Sequence, residues 1–391
     1  MTRGNFMDNT KEKPVGIDFL TDFLTEKYIQ EYIAQGGSKI KFVTGSTGSG
    51  KTYLLRFMCG KAQENNFRPV FFSAKNIWLH DFKEIYLEIL RQCKLMECLK
   101  GCALNLIKRM GYEPSEIPAG QTFIDYLAQE NMSDAINRRE IRTQLKEMFL
   151  DNPLLDNNFA LACSMLTGSV LGYPVLEEQS RDMLLGWLGG DRTIKLTQLR
   201  SLGLSPARIT KYNARHMLRS LTEVARMGGF SGLFVAIDDL EILISRSSLE
   251  EIHYTKMKRE DTYESIRELI DDIDSLHNIM FMFGFDRSLL DDENAGIKSY
   301  QALWMRIQNE VSGKRFNRFS DLIDLDYLAF QEYTPAVLVA MSRVLADKVQ
   351  SCSISPIDET QAKEILSRAR NGSVGVPELI RSTMTGGGAH A

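Results

Sequence analysis

The chain has 391 residues, of which 43% are hydrophobic and 25% charged, and its formal net charge is −4. These values are typical of a globular protein with more than one domain, and they exclude the strong overall basic excess of a dedicated nucleic-acid-binding protein, although a local basic patch remains compatible with them. No apolar run approaches the ~20 residues of a membrane span, and the N-terminus has no apolar signal segment, so we expect a cytoplasmic protein.

The N-terminal segment, 1–36, is predicted to be helical after a polar start. Apolar residues recur at steps of three and four between residues 20 and 33, which is the pattern of a helix with one apolar face. The Gly36-Gly37 pair ends this helix.

A phosphate-binding loop follows. The apolar run 39–43 leads into GSTGSGKT at 45–52, and an amphipathic stretch follows at 53–62. In a strand, loop and helix of this kind the glycines turn backbone N–H groups inward, Lys51 reaches the β- and γ-phosphates, and Thr52 offers its hydroxyl to Mg²⁺. The helix also directs its positive dipole end at the anion. The residues assigned to ATP binding are Gly45, Ser46, Thr47, Gly48, Ser49, Gly50, Lys51 and Thr52.

A second strand is predicted at 68–74, and helices dominate from about 81 to 227. A nucleotide-binding sheet does not need so many helical residues between its second and third strands. We therefore predict a helical insertion at 100–216 within an ATPase core formed by 37–99 and 217–330.

Three of the six cysteines, Cys93, Cys98 and Cys102, fall in one helical region of this segment. Their spacings of five and four residues do not match the C-x₂-C pair of a metal site. We expect them to be buried thiols.

Carboxylates follow the predicted third strand, at 230–237. Asp238 stands where P-loop ATPases anchor Mg²⁺, and Asp239 stands where a second carboxylate orients the attacking water. If the backbone stays extended past Asp239, Glu241 projects to the same side and can take that role. The alternative is a solvated acidic loop after a core strand.

Polar residues also follow the predicted fourth strand, 279–285. Asp286 and Arg287 are candidates for sensing the γ-phosphate, and an ordinary strand-end turn is an equal alternative. A fifth strand is predicted at 322–325, after which a helical lid occupies 331–391. Near-continuous apolar strands separated by helices predict a parallel sheet covered on both faces.

Arginines that stabilise transferred charge come from elsewhere in the chain or from a neighbouring subunit. Arg306 and Arg315, which precede the fifth strand, are the candidates, with a surface salt bridge as the simpler alternative. The cluster of basic and phenylalanine residues at 314–319 suggests nucleic-acid contact, although two aromatic residues at a three-residue step more often face a core.

This order of elements resembles the AAA+ branch of P-loop ATPases, with a parallel five-stranded sheet and a C-terminal helical lid. More narrowly, it resembles the ATP-binding proteins of the bacteriophage exclusion (BREX) defence systems. The stretches that carry the resemblance are GSTGSGKT at 45–52, WLGG at 187–190, GGFSGL running into DDLE at 228–241, and GIKSYQALWMR at 296–306.

Two positions depart from the pattern that this resemblance implies. Asp239 stands where Glu is usual, and Glu378 stands where AAA+ proteins commonly carry a sensor arginine. Arg381, one turn later, is a possible substitute. If neither departure is compensated, the protein binds ATP and turns it over slowly.

The resemblance implies a homo-oligomeric ATPase that acts in anti-phage defence beside a helicase, methyltransferase or nuclease. Our leading hypothesis is that ATP and Mg²⁺ change the angle between core and lid to drive a nucleic-acid-directed partner. The alternatives are a scaffold that binds ATP with little turnover and an architectural DNA-binding protein.

Overall fold

A parallel β-sheet of five strands lies at the centre of the molecule. The computed structural model describes residues 14–129, 134–247, 249–308, 316–348 and 355–385. The strands within these ranges are β1 (Ser38–Gly45), β2 (Phe67–Ser73), β3 (Gly232–Asp238), β4 (Ile279–Asp286) and β5 (Leu322–Asp324).

Helices precede, connect and follow these strands. In chain order they are α1 (Asp18–Phe23), α2 (Lys51–Glu64), α3 (Phe82–Cys93), α4 (Leu95–Arg109), α5 (Phe123–Gln129), α6 (Asp134–Leu145), α7 (Asn157–Leu171), α8 (Glu178–Leu188), α9 (Leu196–Arg200), α10 (Ala214–Met227), α11 (Lys256–Asp271), α12 (Ser288–Asp291), α13 (Gln301–Ile307), α14 (Leu325–Glu332), α15 (Pro335–Lys348), α16 (Glu359–Asn371) and α17 (Val376–Met384). π-helical turns extend α1 over Leu24–Ile33 and α6 over Lys146–Leu150, and short 3₁₀ turns lie at Pro114–Glu116, Leu240–Ile244, Ile273–Ser275 and Ile297–Ser299.

The strands lie in the order β2-β3-β4-β1-β5, and every neighbouring pair is parallel. The predicted five-stranded parallel sheet of a P-loop NTPase is thereby confirmed. The register places Gly45 opposite Asp286 and Ser73 opposite Asp238. Because all strands point the same way, their carboxyl ends and the polar residues there meet at one edge of the sheet.

Both faces of the sheet are covered. Alternate residues of β3 point to opposite faces, so that Val235 joins the core beneath α3–α10 and Phe234 joins the core beneath α1 and α2. Every residue of β3 is buried. This burial explains why the strand reads as a continuous apolar run rather than an alternating one.

Helices α3–α10 occupy the chain between β2 and β3, and their apolar residues belong to the same core as one face of the sheet. Two glycines allow the close approach of α4 to the end of α10, because a Cβ on Gly101 would lie 2.1 Å from the carbonyl oxygen of Gly228. Cys93, Cys98 and Cys102 are buried free thiols, as expected. The division of the chain into domains at 36, 99, 216 and 330 stays a prediction.

Helices α14–α17 enclose a smaller apolar cluster that includes Ala329, Leu338, Ile365 and Leu379. The carboxylate of Asp324 caps α14 by accepting hydrogen bonds from the amides of Asp326 and Tyr327. Within the ranges that the structure describes, no helix combines the length and the apolar character needed to cross a bilayer.

Candidate functional site

The loop 45–52 lies between the end of β1 and the start of α2. Two of its glycines, Gly48 and Gly50, have positive φ angles of 75° and 100°, which side chains with a Cβ rarely adopt. Helix α2 begins at Lys51, so its first amide groups face the loop. The sequence therefore produces a phosphate-binding loop at a helix N-terminus, where the dipole also favours an anion.

The Lys51 ammonium lies within this loop. It donates to the carbonyl oxygens of Gly45 and Ser46, each at 2.8 Å, and lies 3.4 Å from Asp286 Oδ2. These three acceptors hold a flexible cationic side chain beside the loop amides. A phosphate bound there would meet a positive charge that is already in position.

Thr52 and Asp238 bring two oxygen ligands together at the start of α2. The Thr52 hydroxyl donates to Asp238 Oδ2 at 2.5 Å, and Asp238 is only 4% exposed. Burial raises the pKa of Asp238, and the negative charge of Asp239 adds to this effect. Hard oxygen ligands of this kind, completed by phosphate oxygens and water, suit Mg²⁺.

In the parts of the chain that the structure describes, no group of three or more His, Cys, Asp or Glu side chains is arranged to hold a metal ion. The oxygens of Thr52 and Asp238 fit Mg²⁺ only where a nucleotide supplies further oxygens.

Asp286, at the end of β4, faces the loop. Its Oδ2 accepts a hydrogen bond from the Thr47 hydroxyl at 3.1 Å. Burial alone would raise the pKa of Asp286, but the Ser288 amide, the Lys51 charge and the Thr47 hydroxyl together hold it below its usual value. Asp286 thus lies where a group that senses the phosphates is expected.

Asp239 is held by two residues at the end of β2 that the sequence did not single out. Its carboxylate accepts a hydrogen bond from the Ser73 hydroxyl at 2.6 Å and lies 3.1 Å from Lys75 Nζ. Burial opposes a charge on Lys75, yet the contact with Asp239 raises its pKa. In the sequence, Ser73 and Lys75 are marked as candidates only by their position at the end of the second strand. The structure shows that this strand pairs with β3.

The premise for Glu241 was wrong. The backbone does not stay extended, because Asp239 has a positive φ of 63° and residues Leu240–Ile244 form a 3₁₀ turn. Glu241 instead turns toward β4 and accepts a hydrogen bond from the Asp286 amide at 2.9 Å. Through this hydrogen bond Glu241 holds the backbone of Asp286. Burial raises the pKa of the Glu241 carboxyl group.

A second pair of acidic residues closes the other side of the loop. Asp326 accepts hydrogen bonds from the Ser46 amide at 2.7 Å and the Ser46 hydroxyl at 2.8 Å. The Arg287 guanidinium bridges Asp326 and Asp324, at 3.2 and 3.0 Å. Sequence reasoning missed both carboxylates, although their alternate spacing at the end of the fifth strand matches that of strand-end ligands.

Arg306, one of the two candidate arginines, is not brought to the loop of its own chain. Arg306, on α13, forms a two-point ion pair with Asp271 of α11, with contacts of 2.5 and 2.9 Å. Arg315 lies outside the described residues. The proposed roles of Arg306 and Arg315 in stabilising transferred charge stay predictions. The Arg306 guanidinium would have to act on the phosphate site of another subunit.

The phenylalanines beside Arg315 contact aromatic residues of the N-terminal helix, although Phe319 is also 66% exposed to solvent. Phe316 packs edge-on against Phe19 at 6.2 Å between ring centroids, and Phe319 packs against Phe23 at 4.8 Å. These contacts favour the structural interpretation of the aromatic residues over the nucleic-acid one.

The start of α17 lies on the phosphate loop. The Gly375 amide donates to the Thr47 carbonyl oxygen at 2.9 Å, and a Cβ on Gly48 would lie 2.3 Å from Glu378 Cβ. Arg381 is paired with Glu378 at 2.7 Å. The lid segment is therefore in direct contact with the loop, with a carboxylate in the place where a sensor arginine is common.

An apolar cavity of about 230 Å³ adjoins the loop at Ser49 and Gly50. Residues from the N-terminal segment, α2 and the lid line it. They are Pro14, Val15, Ile17, Tyr53, Tyr333, Met341, Val344, Leu345 and Pro377. Such a cavity, apolar and next to a phosphate site, has the character of a binding site for a flat nucleotide base.

A family model described as BREX system ATP-binding protein BrxC/D matches residues 14–376, which include the phosphate loop, all five strands and the helices between β2 and β3. No curated protein and no solved structure matches the chain.

Proposed function

Because the chain belongs to the family of BREX system ATP-binding proteins BrxC/D, we propose that it binds ATP together with Mg²⁺ and hydrolyses it. Family membership makes it an ATP-binding protein of an anti-phage defence system. The hydrolysis, the metal and the detailed roles of the residues are our proposal.

The contact between Thr52 and Asp238 carries the proposal. The Thr52 hydroxyl and Asp238 Oδ2 lie 2.5 Å apart, and Thr52 directly follows Lys51, whose ammonium group lies beside the loop. In the proposed complex Lys51 and the loop amides hold the phosphates, while Thr52 and Asp238 hold the ion. When bound, the Mg²⁺ ion would neutralise the charge that develops on the phosphates.

The adjoining cavity supports ATP rather than a simple phosphate ligand. Its lining is largely apolar and comes from three separate parts of the chain, including Val15 and Leu345. The same cavity reaches Ser49 and Gly50 of the loop. A base in the cavity and phosphates at the loop can therefore belong to one bound nucleotide. Base binding would bring the lid and the core together, which is the proposed conformational response.

Asp239 is the proposed group that orients water for attack on the γ-phosphate. Ser73 and Lys75 fix its carboxylate at the end of β3. Because Lys75 also neutralises part of its charge, we expect hydrolysis to be slow in the isolated protein.

The test measures Mg²⁺-dependent ATP hydrolysis by the wild type, Lys51→Ala and Asp239→Asn. Lys51→Ala should lose both nucleotide binding and turnover, whereas Asp239→Asn should bind the nucleotide and lose turnover. Equal rates in all three proteins would rule out the proposed enzyme.

A scaffold that holds ATP with little turnover is the second candidate. Two observations favour it. Lys75 forms an ion pair with the Asp239 carboxylate, and Glu378 lies against the loop. Tight binding with negligible turnover, even with partners present, would support this candidate. Brisk hydrolysis by the protein alone would exclude it.

Membership of a BREX family implies that other BREX proteins are partners. We propose that these include a helicase, methyltransferase or nuclease, and that the chain acts in the cytoplasm as a homo-oligomer in which Arg306 reaches a neighbouring site. The proposal for Arg306 rests on its exposed position outside its own phosphate loop.

A further inference from the structure

The connection between α8 and α10, together with the first turns of α10, is strongly basic although the protein as a whole is acidic. Residues 192–222 contain seven Lys and Arg and no Asp or Glu. Since the net charge of the whole chain is −4, the remaining residues carry a charge of −11. A charge difference of this size within one chain indicates a local surface with a particular kind of partner.

Five of these cations are exposed, and we call them the basic ridge: Arg192, Lys195, Arg200, Arg208 and Lys211. None of the five forms an ion pair with a carboxylate of the described ranges, in contrast to Arg215 nearby, which pairs with Glu268 and Asp272. The charge of the basic ridge is therefore available to a ligand.

The fold holds this segment against the protein. Leu199, Leu204 and Ile209 are at most 7% exposed and belong to the main core. The Trp187 indole donates to the Ala207 carbonyl oxygen at 3.0 Å and fixes the segment against α8. Apolar residues thus anchor the connection from within, and the basic ridge covers its outer side.

Two further contacts describe the surroundings of Arg208 and Lys211. Arg208 reaches the Ile194 carbonyl oxygen, at 3.5 Å, and so lies next to the turn that carries Arg192 and Lys195. Lys211 lies 5.3 Å from the ring centroid of Tyr212, a tyrosine that is 87% exposed. A tyrosine hydroxyl in this position can donate to a phosphate oxygen beside a lysine.

The basic ridge ends at α11. There Lys211 and Tyr212 border a polar cavity of about 240 Å³ together with Asp261, Glu264 and Glu268. These carboxylates confine the positive surface to the connection itself, because a polyanion would be repelled beyond this border.

We propose that the basic ridge binds the phosphate backbone of duplex DNA. The five cations form no ion pair with a carboxylate of the described ranges, and exposed cations of this kind bind phosphates with the release of counterions. The basic ridge makes no contact with the phosphate loop, so this proposal is independent of the proposed ATP hydrolysis.

The test measures the affinity for a fluorescent, nonspecific duplex of about 30 base pairs at salt concentrations between about 50 and 200 mM. The triple variant Lys195→Ala/Arg208→Ala/Lys211→Ala should bind at least about tenfold more weakly. Its plot of log affinity against log salt should be shallower by about 0.9 for each phosphate that the variant no longer neutralises.

The matched control is Lys27→Ala/Arg343→Ala/Lys363→Ala, which removes the same residue types from the N-terminal helix and the lid. It should bind duplex like the wild type, and Lys195→Arg/Lys211→Arg, which preserves charge, should keep most of the affinity. ATP-analogue binding and the melting temperature, both unchanged in the ridge variant, show that its fold and nucleotide site are intact.

Four outcomes would overturn the proposal. They are the absence of duplex binding by the wild type at low salt, an equal loss of affinity in the control variant, an equal loss in the charge-preserving variant, and ridge-dependent binding that prefers a single strand or a polyglutamate peptide to duplex.

Discussion

At the scale of single residues, the feature that most affects function is the arrangement of carboxylates around the loop. Asp238 faces Thr52, whereas Asp239, its neighbour in sequence, turns away to Ser73 and Lys75. The positive φ of Asp239 marks the point where the chain leaves the extended strand, so the turn and not the strand alternation sets the direction of its side chain. Two adjacent aspartates therefore have separate partners and separate proposed roles.

We expect Lys75→Ala to raise the ATP turnover rate. The ion pair between Lys75 and Asp239 is partly exposed, and such pairs contribute ~0.2–1 kcal/mol, so its removal should accelerate hydrolysis by about 1.4- to fivefold. Steady-state phosphate release measures this. Lys61→Ala, which breaks the surface pair with Glu64, is the control and should leave the rate unchanged. A fall to the rate of Lys51→Ala would show that Lys75 assists the reaction.

The raised pKa of Asp238 predicts a pH-dependent affinity for the metal nucleotide. Mg²⁺ requires the carboxylate, and protonation of Asp238 begins at a higher pH than for an ordinary aspartate. Affinity for a Mg²⁺–ATP analogue should therefore begin to fall at a higher pH than an ordinary aspartate would produce, and should decrease by up to about tenfold per unit below the pKa of Asp238.

Calorimetric titrations of the wild type and Asp238→Asn at several pH values check this prediction. The variant should bind more weakly at neutral pH and retain only the pH dependence of the nucleotide itself. Identical pH profiles for the two proteins would contradict a metal role for Asp238.

At the scale of elements, the contact of α17 with the phosphate loop couples the lid to the site. The Gly375 amide donates to Thr47, and a Cβ on Gly375 would lie 2.4 Å from Ser49 Cα. The φ of Gly375 is −69°, which any residue can adopt, so the backbone does not require glycine here. Glycine is required because there is no space for a Cβ. The small residue at the start of α17 thus determines how closely the lid approaches the loop.

Gly375→Ala should weaken ATP-analogue binding by about tenfold, because overpacking at such a contact costs ~1–3 kcal/mol and displaces Pro377 from the base cavity. Fluorescence titration with a labelled ATP analogue measures the effect. Ser382→Ala, which removes a hydrogen bond within α17 only, is the control. Unchanged affinity in Gly375→Ala would show that nucleotide binding does not need this lid position.

At the scale of the whole molecule, the parallel sheet gathers groups from distant parts of the chain at one edge. Lys51, Asp238, Asp286 and Asp326 belong to different segments, and each contacts the loop or its first helical turn. Arg306 remains outside this group, on the α11–α13 surface. Its proposed role therefore depends on assembly with another copy of the chain.

Arg306→Ala should lower turnover about tenfold or more in a nucleotide-bound oligomer, while leaving affinity for the analogue unchanged. Asp271→Ala is the matched variant, because it frees Arg306 from its ion pair and should preserve turnover. Hydrolysis rates combined with the mass of the complex in the presence of an ATP analogue check this. An analogue-bound monomer with full activity would contradict the role in trans.

The sequence by itself determined the type of fold and the centre of the site. The loop 45–52 requires a strand before it and a helix after it, and buried strands such as β3 read as apolar runs because both faces of the sheet are covered. The predicted placement of Asp238 and Asp286 at strand ends follows from the same local pattern, since a polar residue after an apolar run marks where a strand leaves the core.

Only the tertiary structure decided which residues meet. Ser73 and Lys75 reach Asp239 because β2 and β3, which helices α3–α10 separate along the chain, are neighbours in the sheet, and Asp326 reaches Ser46 because β5 pairs with β1. The left-handed backbone at Asp239, which redirects Glu241 toward Asp286, likewise has no sequence signature of its own. Local patterns specify strands and loops through backbone geometry, whereas contacts between distant segments depend on strand order and packing, which no local pattern encodes.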